Sequence, residues 1–140
     1  MPDRAAAWLR QSEHDLVFAR YALDGGVHDW ACLAAAGAAD KAVKAALALR
    51  CGPVLGGQNL LMLLGRFRDE GGPVPDGLFD DARELMEDTA ITVGQSCFNG
   101  IAPFELMSRA QAEGAIAAAE RLRGHMADYC HGTRTGAAAG

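Results

Sequence analysis

The sequence predicts an all-α protein, an antiparallel up-and-down bundle of four to five helices. Three observations carry this. Half of the 140 residues are hydrophobic but only 6% are aromatic, so the core has to be built mainly from alanine and leucine. Valine and isoleucine, which sheets favour, are few. Apolar residues recur at spacings of three and four, and short runs of turn residues separate the stretches that carry them, which makes neighbouring helices antiparallel.

The first helix runs from about Asp3, a suitable N-cap, to Leu23. Leu9, Ser12, Leu16, Ala19 and Leu23 share one face, and Asp24-Gly25-Gly26 ends it. The second runs from about Asp29, read as its cap, to Arg50, and stops at Gly52-Pro53. Ten of the 23 residues from His28 to Arg50 are alanine. Its inward stripe is Cys32, Ala36, Ala39, Val43 and Ala46. Side chains this small let backbones approach toward the short end of the usual ~8–10 Å interaxial range. This helix is therefore expected at the centre, approached from more than one side.

The third helix, about Gln58 to Asp69, offers Leu60, Leu61, Leu63, Leu64 and Phe67 to the core. The following GGPVPDG cannot continue a helix. The fourth starts with Asp76 as cap, runs to about Thr92, and buries Leu78 or Phe79, Ala82, Leu85 and Met86. Residues 93–105, VGQSCFNGIAPFE, have no period and read as a loop. The last helix starts near Ser108, where Ser108-x-x-Gln111 fits a capping box. Its stripe is Ala112, Ala115 or Ile116, Ala119, Leu122, Met126 and Tyr129, and fraying is expected near His131. Residues 1–132 are expected to form one domain, and 133–140 a disordered tail.

The net charge of −5 and a pI near 5.2 argue against a general nucleic-acid binder, which would show a basic stripe. The four cysteines, Cys32, Cys51, Cys97 and Cys130, contain no C-x2-C pair. No metal or cofactor is expected. The N-terminus lacks the apolar stretch of a signal peptide, and LLMLL at 60–64 is too short to span a bilayer. A cytoplasmic, non-membrane protein with reduced thiols is expected.

Lys41 and Lys44 are the only lysines in the chain and lie beside Asp40. Asp40 and Lys44 are spaced i, i+4 with the acid first, the favourable order for a helical ion pair. One reading is a charge cluster at a bundle edge or dimer seam; the other is a contact to a phosphate or nucleotide. Asp15 is expected to point toward a neighbouring helix, and Glu13 and His14 toward solvent. Cys97 is the one thiol in a polar loop, with no histidine within ten residues. Cys130, His131 and His125 lack the i, i+4 spacing of paired metal ligands on one helix. Trp8 and Trp30 are expected in the core or at a subunit interface.

Residues 8–47, WLRQSEHDLVFARYALDGGVHDWACLAAAGAADKAVKAAL, resemble the N-terminal half of the HEPN family, the helical "higher eukaryotes and prokaryotes nucleotide-binding" domains. The matching features are Trp8-Leu9, Asp15-Leu16, Ala19, the turn after Leu23, Asp29-x-Ala31-Cys32, and Ala39-Asp40-Lys41-Ala42-x-Lys44-Ala45. Residues 104–122, FELMSRAQAEGAIAAAERL, resemble the family's last helix. The resemblance implies a homodimeric helical bundle. It also implies either a metal-independent ribonuclease with an Arg-x4–6-His motif near the start of the last helix, or a non-catalytic partner of a nucleotidyltransferase in a toxin–antitoxin pair.

The chain departs from that pattern at the nuclease motif. The Arg-to-His pairs nearest to that spacing are Arg10–His14 and Arg121–His125, with three residues between, and Arg20–His28 and Arg123–His131, with seven. No Arg or His lies between 84 and 108. Where small bacterial members often carry Arg-Tyr-Pro, this chain reads Cys97-Phe98-Asn99. Gly37 stands near the family's common glutamine, and Gln58 near its common histidine. The expected function is therefore a non-catalytic, homodimeric binding or regulatory module. Its partner would be a nucleotidyltransferase, or else a nucleotide or RNA. The alternatives are a ribonuclease with a displaced site and a structural bundle with an unrelated ligand. Candidate ligand contacts are Asp40, Lys41, Lys44, Gln95, Ser96 and Asn99; candidate interface residues are Trp8, Trp30, Phe98 and Phe104.

Overall fold

The computed structural model describes residues 3–54 and 56–134. Among them it contains six α-helices, one 3-10 turn and no strand. The helices are α1 (Arg4–Asp24), α2 (His28–Cys51), α3 (Leu60–Asp69), α4 (Gly77–Thr92), α5 (Pro103–Leu106) and α6 (Arg109–Arg134); the 3-10 turn is Gln95–Asn99. The long helices α1, α2, α4 and α6 alternate in direction, which fulfils the predicted up-and-down bundle. Ion pairs fix the order: Arg20 to Glu120 at 3.1 Å and Arg123 to Glu13 at 3.0 Å set α1 antiparallel to α6.

The centre is α2, which packs against α1, α3, α4 and α6. Its buried residues are Ala31, Cys32, Ala35, Ala38, Ala39, Ala42, Val43, Ala45, Ala46 and Leu47. Ala36, expected inside, is only half-buried, and Ala35 takes its place. The buried arc is wider than one stripe because α1 and α6 both press on the helix. With no side chain beyond Cβ, each alanine loses no rotamer freedom on burial. Ser12 tightens the α1 contact by donating from Oγ to the Ala38 carbonyl at 2.7 Å, both groups out of water.

The caps follow the sequence in part. Asp3 Oδ1 accepts from the Ala6 amide at 3.0 Å. Ser108 Oγ accepts from the Gln111 amide at 3.1 Å while the Ser108 amide donates to Gln111 Oε1 at 2.8 Å, so the reciprocal box forms. Three expectations shift. Val27, not Asp29, holds the cap position of α2, and Asp29 lies in its first turn, where a carboxylate still meets the positive end of the helix dipole. The third helix starts at Leu60, because Asn59 Oδ1 takes the Met62 amide at 2.9 Å. Asp76 holds the α4 cap position without a side-chain cap bond.

The stretch 93–105 is not a plain loop. It folds into the 3-10 turn and then α5, which Pro103 opens at a position where a missing N–H costs nothing. Gly94 (φ 101°) and Gly100 (φ 79°) bracket the 3-10 turn in the left-handed region that suits glycine. The last helix does not fray near His131 but continues to Arg134. Of the tail expected to be disordered, residues 135–140 lie outside the described residues. Among the described residues no helix is long and apolar enough to cross a membrane.

Candidate functional site

A groove of about 720 Å³ opens along the face of α2 that α1 and α6 leave uncovered. Its floor is small: Ala34 and Gly37 of α2. Trp30 and Phe18 stand at the end near the α1–α2 turn, and Met86, Thr89 and Ala90 of α4 form the far wall. Asp15, Asp40, Lys41 and Asn59 supply the polar groups at the other end. A second, more apolar hollow continues past Phe18 and Trp30 to Tyr21 and Val27.

Within the groove Lys41 Nζ lies 2.6 Å from Asp15 Oδ2, across helices. Asp15 also accepts from Gln11 Nε2 at 2.9 Å. Gly37 makes room for this pair: a Cβ there would lie 3.4 Å from both Asp15 Oδ2 and Lys41 Nζ. Lys44 turns away, pairs with Asp40 at 2.7 Å, and sits 5.1 Å over the ring of Trp8 in cation–π contact. Both lysines therefore have carboxylate partners within the chain. Asp40 and Lys41 do line one cavity, whereas Lys44 does not.

The other candidate contacts lie elsewhere. Gln95, Ser96 and Asn99 sit on the 3-10 turn past the end of α4, and none lines the groove. Gln95 and Asn99 are exposed, while the Ser96 hydroxyl is buried without a hydrogen-bond partner. Of the candidate interface residues, Phe98 is 93% exposed, Phe104 69% and Trp30 55%, but Trp8 is half-buried under Lys44.

On α6, Arg121 and His125 serve packing. Arg121 grips Asp81 of α4 with bonds of 2.8 to 3.3 Å. His125 Nε2 lies 2.5 Å from the Pro73 carbonyl oxygen. Cys32 is fully buried, and desolvation, helped by the carboxylates of Asp88, Asp29 and Glu84, pushes its thiol up to about 12. It is a core residue, not a thiolate nucleophile. Asp88 is only 8% exposed, and burial, then Glu84 and Glu87, push its carboxyl up to about 6. Among the described residues no three His, Cys, Asp or Glu side chains gather where they could hold a metal ion.

Sequence reading missed several groove residues. Phe18 and Asn59 fall outside the apolar stripes, and only Phe18 gave a signal, an aromatic off the buried face of α1. The buried Asp88, which does not line the groove, gave none either, since an acid in the last turns of a helix ordinarily faces water.

Fold and site together define a helical bundle whose two lysines are paired with carboxylates of the same chain, and whose segment 84–108 before the last helix carries no arginine or histidine. The family model described as HEPN domain matches residues 5–128, and the chain belongs to the HEPN domain family. Three solved structures are similar. The protein TT1696 from Thermus thermophilus is 30% identical with a TM-score of 0.83, covering 91% of this chain and 99% of its own. A HEPN domain protein from Thermotoga maritima is 28% identical with a TM-score of 0.67, covering 87% and 95%. An archaeal HEPN homologue is 28% identical with a TM-score of 0.74, covering 93% and 99%. Curated proteins give no significant match.

Proposed function

We propose that the chain is a non-catalytic HEPN module that homodimerises and regulates a partner protein. The observation that supports this reading is the commitment of its cations. Lys41 and Lys44 are each neutralised by a carboxylate, and Arg121 is held by Asp81. Cleavage by 2′-hydroxyl attack needs a base and a cation on the scissile phosphate, each typically worth about 10²-fold or more. The segment before α6 supplies neither. For the homodimer the contact is the tract Val93–Phe104, which carries no charged residue and projects Phe98 and Phe104 into solvent. A nucleotidyltransferase is the class of partner to which the family resemblance points.

Incubation of the purified chain with single-stranded RNA and EDTA tests the first half. The expected result is no cleavage above background; cleavage lost in a His14→Ala or His28→Ala variant would establish a displaced nuclease site instead. Sedimentation at micromolar concentration tests the second half. Twice the 14.7 kDa chain mass is expected, falling to the monomer in Phe98→Glu.

A further inference from the structure

We draw no further inference here: the strongest candidate, the open groove along α2 with the apolar hollow that continues past Phe18 and Trp30, carries none because its Lys41 is already paired with Asp15 and nothing in the structure shows what covers it.

Discussion

The two faces of α2 are made of the same material and have opposite fates. Ala31, Ala35, Ala38, Ala39 and Ala42 are covered by neighbouring helices, while Ala34 and Gly37 floor an open groove. Small side chains therefore do not specify burial; they specify how near another backbone can come. On one face that approach is made within the chain. On the other, Gly37 takes the Asp15–Lys41 ion pair and Ala34 faces the open groove.

The largest expected effect that would break this comparison is on the closed face. Ala39→Leu should destabilise by about 1–3 kcal/mol, because no space remains for three added carbons. Thermal unfolding reads it directly, and an unchanged midpoint would mean that the closed face is looser than its burial indicates. Next is Asp88, the charged misfit of the interior. Its carboxyl titrates near 6 in the folded chain, above the ~3.9 of an unfolded aspartate. The folded state thus binds the proton more tightly, and stability should rise as pH falls from above 6 toward 4. Asp88→Asn should flatten that dependence and stabilise the chain at neutral pH by about 1–3 kcal/mol. Denaturant melts at several pH values decide it, and a wild-type slope retained in Asp88→Asn would assign the effect to another group.

A smaller effect is expected at the groove's own ion pair. Lys41 and Asp15 are partly exposed, at 28% and 17% of their side chains. Asp15→Asn should cost about 1 kcal/mol, near the upper end for surface pairs; a loss of several kcal/mol would show the pair to be a core element. Smallest of all, Ala34→Leu on the open face should change stability by less than about 0.5 kcal/mol, as surface substitutions do. Measured beside Ala39→Leu, it sharpens the contrast between the two faces to a single pair of numbers.

The fold was legible because periodicity and punctuation agreed: Gly25-Gly26, Gly52-Pro53 and Ser108-x-x-Gln111 all mark real boundaries. Phase was harder. With alanine on every side of α2, hydrophobic pattern alone could not separate Ala35 from Ala36, and Asp29 looked like a cap because the true cap residue, Val27, has no side-chain acceptor. The candidate site was legible only in part. Asp40 and Lys44 could be paired from their spacing, but the bond from Lys41 to Asp15 joins residues 26 apart, and sequence gives no such distance. The short helix at Pro103 was hidden because four residues are too few to show a period.

Arg50 closes the other end of the bundle. Its Nε donates to the Glu70 carbonyl at 2.6 Å and its Nη1 to the Tyr129 hydroxyl at 3.1 Å, while Phe67 and Tyr129 meet edge to face with centroids 4.9 Å apart. Gly71 (φ 92°) passes so close that a Cβ would lie 2.6 Å from the guanidinium. One side chain thus joins α2, the end of α3 and α6 into a single cooperative unit. Amide exchange should accordingly be graded along α2. Protection is expected to be deepest toward Leu47, at the end that Arg50 ties, and shallower toward Trp30. The groove thus lies at the pole opposite the one that Arg50 ties.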